Sequence, residues 1–532
     1  MAEEYKAAAT TTTVVDISRL QNNTNPRWWK DPGLKKLVLC IAAPLSLQIT
    51  VGYDESLVGS LLSMKPFLRD MGNPNSVDTG MITGMFYVGA ILISWPAAYI
   101  SDNYGRKMTL YLACFFQILG PILMASSQHY GQFYAGRLFL GAGVTLSHCA
   151  GPPLINEIAH PRMRETIALW YNTLWSIGSI VAGWLCFGTS HMTSTMGWRI
   201  PCIVQCIFAA GLLSALPFIP ESPRWLIAKE RYEEAKAVFV KYHANGDNDD
   251  ELVKFEMEEI TATIRLERKA DSFGWGVMWE NAANRSRFYI VLLIGPMLIW
   301  TGQSAISYYF SEILDGIGIT TTSSQTGING GLTIWNFVAS ITGVFLCHRF
   351  GRRTLWLTAF AGMLLINVIM IILSERYAKT GDISFGYGFV VMMFALNFFY
   401  QIGPQPLCYS YSVEILPYVM RSRGLVTVDF GASAALLVNS FTNAIALQSI
   451  GWYYYFVFMG CLCCSLTYIY IFFPETKGLL LEEVAVLFEG QNAAIVTACV
   501  NVETFQKREI METGKGNVEG HDDVVEKTSD EA

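Results

Sequence analysis

The sequence contains little charge for its length. Only 15% of its 532 residues are Asp, Glu, Lys or Arg, whereas a soluble protein carries about 25%. The shortfall arises because most of the chain consists of apolar runs about twenty residues long, the length that crosses a bilayer core of about 30 Å as a helix. The composition therefore excludes an ordinary soluble protein and predicts a chain embedded in a lipid bilayer.

Several chemical signatures are also missing. Twelve cysteines are present, but they are scattered, and no spacing between them is typical of a zinc site or a disulfide framework. No nucleophile–base set or metal-ligand cluster occurs, and no basic segment indicates nucleic-acid binding. We therefore expect no enzyme activity, no cofactor, no metal and no nucleic-acid partner.

The N-terminal 33 residues are polar and lack the apolar stretch of a cleavable signal peptide. We therefore expect the first membrane helix itself to direct insertion. The net charge of −7 comes partly from the acidic residues after position 518. It is a property of that tail and carries no information about a ligand.

What the chain does contain is a series of twelve apolar spans. Only helices and closed barrels satisfy the backbone in lipid, and barrels show alternating instead of continuous apolar residues, so these spans predict helices. They are predicted at about 37–62, 79–100, 109–127, 133–156, 166–189 and 199–219, and then at about 288–312, 328–347, 355–374, 386–412, 424–447 and 452–473.

Basic residues in the short loops predict the orientation. If both termini are cytosolic, nine Lys or Arg residues fall on inner loops and four or five on outer loops, as the positive-inside rule requires. The polar segment between the sixth and seventh spans is then cytosolic. Its stretches 229–244 and 251–269 have amphipathic helical spacing, and we expect them to form surface helices that lie under both halves and latch the inner gate.

Three motifs occur twice, in the same order and about 250 positions apart, which indicates an internal duplication. The pairs are 102–107 with 348–353, 156–164 with 413–421, and 220–224 with 474–478. Two six-helix halves around a site at the membrane midplane is the architecture of an alternating-access carrier.

These loops, with PESPRWL at 220–226 and PETKGLLLEE at 474–483, resemble the sugar porter family of the major facilitator superfamily over about residues 35–490. GPPLINEIAHP at 151–161 is similar to the fungal lactose-permease-like branch. The resemblance implies an all-α membrane protein with twelve transmembrane helices in two pseudo-symmetric six-helix bundles, the major facilitator fold. The expected parts are a cytosolic arm (1–36), a first bundle (37–219), a cytosolic linker (220–287), a second bundle (288–473) and an acidic cytosolic tail (474–532).

The resemblance also implies a cytosolic gate made of inter-helix ion pairs, Glu157 with Arg106 or Lys107 and Glu414 with Arg352 or Arg353. Alternatively, these charges only set the topology. His348 stands where the family usually has an aspartate, which puts the symmetry of the gate in doubt. The full set of expected gate residues is Asp102, Arg106, Lys107, Glu157, Arg164, Glu221, Arg224, Arg352, Arg353, Glu414, Arg421 and Glu475.

Charged residues inside the spans need a reason, because each costs about 2.5–3.5 kcal/mol at the bilayer centre. By resemblance, Asp54 is the proton-coupling aspartate and Arg137 its partner, although a purely structural pair is the alternative. Glu55 must point about 100° away from Asp54, toward the outer cavity or another helix. Asp429 either snorkels at the cytosolic side or lines the cavity as a second titratable site.

Sugar recognition uses amides and hydroxyls together with aromatic faces. By resemblance and residue type, the substrate residues are expected to be Asn172, Gln303, Ser304, Tyr308, Tyr309, Tyr409 and Asn443. For Tyr309 and Tyr409, packing is an equal alternative. Leu298 and Ile299 occupy positions where the family usually offers seventh-helix glutamines, so we expect an altered or larger substrate.

The sequence thus predicts a secondary transporter that imports a sugar, favouring a disaccharide or related glycoside, by proton symport. The alternatives are the same fold carrying another polyhydroxylated or secondary metabolite, and a sugar sensor without transport. The expected partners are the sugar, protons and the lipid bilayer. We expect a monomer in the plasma membrane, with both termini cytosolic.

Overall fold

The first half of the chain forms six long helices. The computed structural model describes residues 23–477 except 26, 272–275 and 417, together with 484, 487 and 488. The helices are α1 (Pro32–Leu62), α2 (Ser76–Tyr104), α3 (Arg106–Ala125), α4 (Tyr130–Ile158), α5 (Pro161–Thr189) and α6 (Met196–Ala215). They start earlier than hydropathy predicted because polar residues supply the first turn. Asp31, for example, accepts a hydrogen bond of 2.9 Å from the Leu34 N–H and caps α1.

The polar segment between the halves contains further helices, among them α7 (Pro223–Ala228), α8 (Tyr232–His243) and α9 (Glu251–Asp271). Helix α8 packs against α1. His243 at its end donates a hydrogen bond of 3.1 Å to the Ile158 carbonyl and hydrogen-bonds the Glu256 carboxylate at 2.7 Å. Helix α9 also contacts the second bundle. The two amphipathic stretches found in the sequence are therefore helical and touch both halves.

The second half is less regular than predicted. Its helices are α10 (Ala282–Ile299), α11 (Gln303–Tyr308), α12 (Phe310–Asp315), α13 (Thr322–Arg349), α14 (Arg352–Thr380), α15 (Ile383–Ile402), α16 (Pro404–Ile415), α17 (Tyr418–Ser449) and α18 (Tyr455–Phe472).

The seventh and tenth predicted spans are helical, but each is interrupted, which the sequence did not predict. The seventh is divided into α10, α11 and α12, since Gly302 has a left-handed backbone with φ of 94° that a helix cannot continue through. The tenth is divided at Gly403, where Pro404 supplies no N–H for a continuing helix.

Ten helical segments among the described residues are long and apolar enough to cross a bilayer, and α5 contributes a shorter apolar stretch at Thr173–Thr189. The divided α10–α12 segment completes twelve membrane elements. Helices α2 and α17, and helices α5 and α13, pack against each other across the surface between the bundles, which we call the seam. We call the end of the molecule that carries α7–α9 the linker side, and the opposite end the far side.

The seam is closed on the far side. Asn329 donates a hydrogen bond of 2.8 Å to Ser60 across it, and a side chain at Gly59 would collide with the Ser307 carbonyl. Toward the linker side, Tyr409 is 50% exposed although it lies within electrostatic range of Tyr171 in the other bundle. The cavity between the bundles is therefore open toward the linker side.

A short segment before α1 is fastened to the linker. The backbone N–H of Asn23 donates to Asp250 at 2.9 Å. The Asn245 amide donates to Asp31 at 2.9 Å, and its oxygen accepts from the Gly33 N–H at 2.9 Å. These bonds, which we call the strap, join α1 to the loop between α8 and α9.

Candidate functional site

A buried ion pair lies in the middle of the first bundle. Nη1 of Arg137 lies 2.8 Å and 2.7 Å from the two carboxylate oxygens of Asp54, and the exposed fractions of the two side chains are 1% and 5%. The Gln205 amide donates a further hydrogen bond of 3.2 Å to Asp54. Sequence reasoning did not identify Gln205, because a single amide in an apolar helix does not reveal which neighbour it meets.

Helix α2 holds the arginine in place. Nε of Arg137 donates to the Ile82 carbonyl at 3.0 Å, and the guanidinium lies 4.9 Å from the ring centroid of Phe86. The carboxylate belongs to α1, the arginine to α4 and the glutamine to α6. An arginine beside a carboxylate favours its charged form, and separating the two makes proton uptake easier. Movement among these helices can thus be converted into binding or release of a proton.

Glu55 points away from the ion pair and toward the seam. The indole N–H of Trp175 donates to its carboxylate at 3.2 Å, and the Tyr308 hydroxyl hydrogen-bonds the same carboxylate. Tyr308 accepts a hydrogen bond of 2.7 Å from Tyr87. Of the two alternatives left open by the sequence, the structure places Glu55 between the bundles, where it joins α1 to α5 and α11.

Tyr308 and Tyr309, the expected aromatic pair, contact different parts of the seam. Whereas Tyr308 reaches Glu55, Tyr309 is 1% exposed and fastens the far side of the seam. Its hydroxyl donates to the Ser440 carbonyl and lies 2.9 Å from the Thr83 hydroxyl. Tyr309 therefore joins α2 to α17.

Gln303 and Ser304 lie at the start of α11, directly after the break. The Gln303 amide donates to Ser307 at 2.9 Å, and Ser304 accepts a hydrogen bond of 2.6 Å from Asn439. In this conformation both side chains form hydrogen bonds with groups of the second bundle. They border the seam through their neighbour Ser307, whose carbonyl faces Gly59.

Tyr409 and Asp429 lie on the linker side of the cavity. The Tyr409 hydroxyl donates to the Asp429 carboxylate at 2.6 Å, and Asp429 is exposed while lying within electrostatic range of Cys149 in the first bundle. Between the two alternatives for Asp429, this arrangement favours a cavity-lining residue.

Asn443, another expected substrate residue, does not join this group. Asn443 is 1% exposed, and its amide oxygen accepts a hydrogen bond of 2.7 Å from Tyr454 on the far side. It lies fourteen positions beyond Asp429 on α17, which is about 21 Å along a helix. The side chain of Asn172 lies outside the described residues.

Two clusters of charged residues occupy corresponding places on the linker side. In the first cluster, the Glu221 carboxylate accepts hydrogen bonds from the N–H groups of Arg106 at 3.1 Å and Lys107 at 3.2 Å, at the start of α3. Nε of Arg106 lies 3.5 Å from Glu157, and Glu157 also accepts from the Ser222 hydroxyl.

The second cluster repeats these contacts. Glu475 accepts from the Arg352 N–H at 2.7 Å, at the start of α14. Nη2 of Arg352 lies 3.1 Å from Glu414, which also accepts from the Thr476 hydroxyl. Of the two possible partners for Glu414, the structure thus selects Arg352, whereas Arg353 donates to the Tyr470 carbonyl.

The clusters differ at one position. Asp102 lies 3.1 Å from Nη1 of Arg106, whereas His348 lies in the last turn of the corresponding helix α13 and its side chain lies outside the described residues. Among the other expected gate residues, Arg164 is exposed, Arg224 is half-buried in α7, and the side chain of Arg421 lies outside the described residues. Each cluster ties elements of one bundle together.

Within the described ranges, no three His, Cys, Asp or Glu side chains are arranged to hold a metal ion. The site therefore consists of an ion pair in the first bundle, an acid and aromatic hydroxyls at the seam, and two ion-pair clusters at the linker side. This combination suits the binding and release of protons and of a hydroxylated molecule between two moving bundles.

Comparison of the sequence with known proteins gives consistent matches. A family model described as "Sugar (and other) transporter" matches residues 39–488. The low-affinity glucose transporter HXT4 of Saccharomyces cerevisiae is 29% identical over 458 residues, which cover 82% of this chain and 78% of that relative. The low-affinity glucose transporter of Kluyveromyces lactis is 28% identical over 459 residues, which cover 81% of this chain and 79% of that relative.

Solved structures share the fold. The inward-open conformation of the xylose transporter XylE from E. coli has a TM-score of 0.70 at 19% identity, covering 85% of this chain and 100% of that one. The proton:xylose symporter XylE bound to 6-bromo-6-deoxy-D-glucose has a TM-score of 0.66 at 20% identity, covering 86% of this chain and 99% of that one.

Two helical bundles, a seam open on one side and duplicated linker-side clusters define a membrane carrier of the major facilitator fold, which confirms the predicted fold class. The chain belongs to the Sugar (and other) transporter family and is a multi-pass membrane sugar transporter of the sugar porter type. The predicted family is thereby confirmed, as is the expectation of a carrier and not an enzyme. Its narrower placement near the lactose-permease-like branch stays a prediction.

Proposed function

We propose that this protein imports a sugar across the plasma membrane by alternating access, in symport with a proton. In this proposal the linker side is cytosolic, as the basic loops there require, and both termini lie on that side. In this proposal the protein works as a monomer, since both bundles that border the seam belong to one chain. The observation that carries the proposal is the buried Asp54–Arg137 pair.

The pair is placed for coupling because its members belong to different helices, and α1, which carries Asp54, contacts α11, α12 and α13 across the seam. A closed seam on the far side leaves Asp54 neutralised by Arg137 and hydrogen-bonded by Gln205. If rearrangement of the bundles withdraws Arg137, the carboxylate takes a proton instead of remaining charged in the membrane. A proton that moves inward gains about 2.3 kcal/mol per 100 mV of membrane potential.

The cargo is proposed to be a sugar because the glucose and xylose transporters named above share the family or the fold. Its hydroxyls would meet Tyr308 at the seam and Tyr409 toward the linker side, with Gln303 and Ser304 contributing when α11 moves. The absence of amides at positions 298 and 299 favours a disaccharide or related glycoside over a hexose. Leu298, which stands at one of those positions, is 6% exposed and packs in the core of the second bundle.

The same feature favours a second candidate cargo, another polyhydroxylated metabolite. Without amides at positions 298 and 299, the site offers fewer partners for the ring hydroxyls of a hexose. Uptake measurements with sugars and with such metabolites in parallel distinguish these two cargoes.

The two linker-side clusters are proposed to act as the cytosolic gate. Each joins the end of a membrane helix to the segment that leaves its bundle, so each holds one bundle rigid while the seam opens or closes. Exposed ion pairs contribute only about 0–1 kcal/mol. Contacts of that strength can break and re-form in every transport cycle.

Uptake of radiolabelled lactose, cellobiose, maltose and glucose in cells lacking their own carriers tests the proposal. We expect uptake of at least one disaccharide, accompanied by alkalinisation of a weakly buffered suspension. Absence of uptake of every sugar, despite confirmed surface expression, would contradict sugar transport. Sugar uptake without alkalinisation would contradict symport and leave facilitated diffusion.

A further inference from the structure

Glu55 is an acidic group that the coupling mechanism does not use. Its neighbour Asp54 engages Arg137 with both carboxylate oxygens, and the remaining Arg137 contact goes to the Ile82 carbonyl. Arg137 therefore does not serve Glu55. Among the described residues, Glu55 forms no ion pair, and its hydrogen-bond donors are the neutral groups of Trp175 and Tyr308.

Aromatic side chains from both bundles surround this carboxylate. Trp175 comes from α5 and Tyr87 from α2, whereas Tyr308 comes from α11 and Tyr400 from α15. Tyr308 and Tyr400 lie within electrostatic range of Glu55. The Tyr87 and Tyr308 rings meet edge to face with centroids 6.4 Å apart. A carboxylate within such a group of rings offers a cation both an opposite charge and cation–π contacts.

A neutral ligand would leave the carboxylate without a cation. Taking a charge out of water costs several kcal/mol unless an opposite charge or good hydrogen bonds compensate. A protonated amine on the ligand supplies that charge, and its three N–H donors match the acceptor oxygens of Glu55. The ring hydroxyls of such a ligand remain free to meet the tyrosine hydroxyls.

The route to this position is also acidic. Asp429 faces the same cavity nearer the linker side and is hydrogen-bonded by the neutral Tyr409 hydroxyl at 2.6 Å. Two carboxylates on the path between the linker side and the seam raise the local concentration of a cationic ligand over a neutral one.

Resting on the proposed sugar transport, we propose that Glu55 anchors a protonated amine, so that the carrier selects an amino-bearing sugar or glycoside over its neutral analogue. Leu298 and Ile299 stand at positions where amides would bind ring hydroxyls. Their presence is consistent with a site that recognises a charge instead of those hydroxyls. Glu55 is thus the specificity-determining residue at the seam.

The test measures uptake of glucosamine, N-acetylglucosamine and glucose in the same carrier-deficient cells, together with the glucosamine disaccharide and cellobiose. N-acetylation keeps the nitrogen in place and removes its charge. We expect the KM for the amine to be about tenfold lower than for its neutral analogue, equivalent to about 1.4 kcal/mol. Glu55→Gln, which preserves size and hydrogen bonding, should abolish that preference, so that the KM values for the amine and for its neutral analogue come within about twofold of each other.

Trp175→Phe provides a second variant that keeps an aromatic face but removes the donor to Glu55; it should retain the amine preference. If the wild type carries neutral sugars and rejects amines, or if Glu55→Gln weakens both equally, the amine assignment is overturned while sugar transport stands. A change in protons per sugar with the preference intact would make Glu55 a proton site and overturn it as well. No uptake of any sugar would overturn both proposals.

Discussion

The two bundles are alike at the linker side and different in the middle. At the linker side, Glu221 and Glu475 each cap the start of a helix, and Arg106 and Arg352 each reach a glutamate near the end of a later helix, α4 or α16. In the middle, the first bundle buries the Asp54–Arg137 pair, whereas buried amides such as Asn397 occupy the second. The duplication is thus visible in the linker-side clusters and is lost in the middle of the described bundles.

The largest expected effect comes from disrupting the buried Asp54–Arg137 pair of the first bundle. Asp54→Asn leaves the Arg137 charge without its partner, which costs about 3–5 kcal/mol when one member of a buried pair is removed. We expect concentrative uptake and sugar-induced alkalinisation to disappear, while exchange of labelled for unlabelled sugar continues. Radiotracer accumulation and exchange in the same cells measure both.

A matched substitution in the second bundle is Asn367→Leu. Asn367 is 1% exposed and its amide oxygen has no hydrogen-bond partner among the described groups, so we expect normal accumulation. Persistent accumulation by the Asp54 variant, or its loss in the Asn367 variant, would contradict the assignment of coupling to the first bundle.

The next prediction separates the two clusters by backbone geometry. Gly105 has φ of 97° and a methyl group there would lie 2.6 Å from the Glu221 carboxylate. Gly351 has an ordinary φ of −69°, although its methyl group would also meet the Glu475 carboxylate. Because a left-handed backbone costs a residue with a Cβ about 1–2 kcal/mol, Gly105→Ala should destabilise the protein by about that much more than Gly351→Ala.

Thermal unfolding midpoints of the purified variants in one detergent measure this difference. Glycine-to-alanine replacement at Gly131, where a methyl group meets nothing within 4 Å, controls for the general effect of the change. Equal loss at Gly105 and Gly351 would show that the carboxylate collision, and not the backbone, decides both.

A pH effect is also expected from a histidine of the first half. Burial, the adjacent His243 and Arg162 lower the pKa of His160 to about 3, whereas a histidine in an unfolded chain has a pKa of about 6.5. The unfolded state therefore binds the extra proton between these values, and stability falls as the pH drops below about 6.5. We expect a loss of about 1.4 kcal/mol between pH 7.5 and 5.5.

His160→Asn should remove this loss, because asparagine does not titrate. Its side chain can also replace the imidazole as the acceptor of the Arg162 N–H at the start of α5. Unfolding midpoints at the two pH values test this, with the exposed His129 replaced by Asn as control. The duplicated motif has Pro417 at the corresponding place, so no matching histidine exists in the second half. An unchanged pH response in the His160 variant would assign the acid sensitivity elsewhere.

The smallest effect is expected from the ion pairs of the clusters. The side chains of Arg106 and Glu157 are 15% and 13% exposed, against 26% and 27% for Arg352 and Glu414. Exposed pairs contribute about 0–1 kcal/mol, so Glu157→Gln and Glu414→Gln should each lower the unfolding midpoint slightly, the former more. The reverse order would show that exposure does not govern the strength of these pairs.

Hydropathy predicted nearly all of the membrane helices, because lipid imposes both their length and their composition. It failed at Gly302 and Gly403, where the chain stays apolar while the backbone turns away from helical geometry. Apolarity measures transfer into lipid and is insensitive to which N–H groups are paired inside the protein.

The candidate site was predictable only in part for a similar reason. Repeated motifs identified the clusters, and the charge of Asp54 required a partner. In contrast, the contacts of Glu55 with Trp175 and of Tyr409 with Asp429 depend on the rotation of separate helices about their axes. No local pattern encodes that rotation, so these contacts became visible only in the folded chain.

The strap has a consequence in time. Its partners Asn23 and Asp250 are 227 positions apart in the sequence, and synthesis proceeds at about 5–20 residues per second. The segment before α1 therefore cannot bond to the linker until about 10–45 s later, when the linker has emerged from the ribosome. During that interval the first bundle must assemble with its opening helix loose at one end, and the bonds of Asn245 mark the moment at which the half is complete.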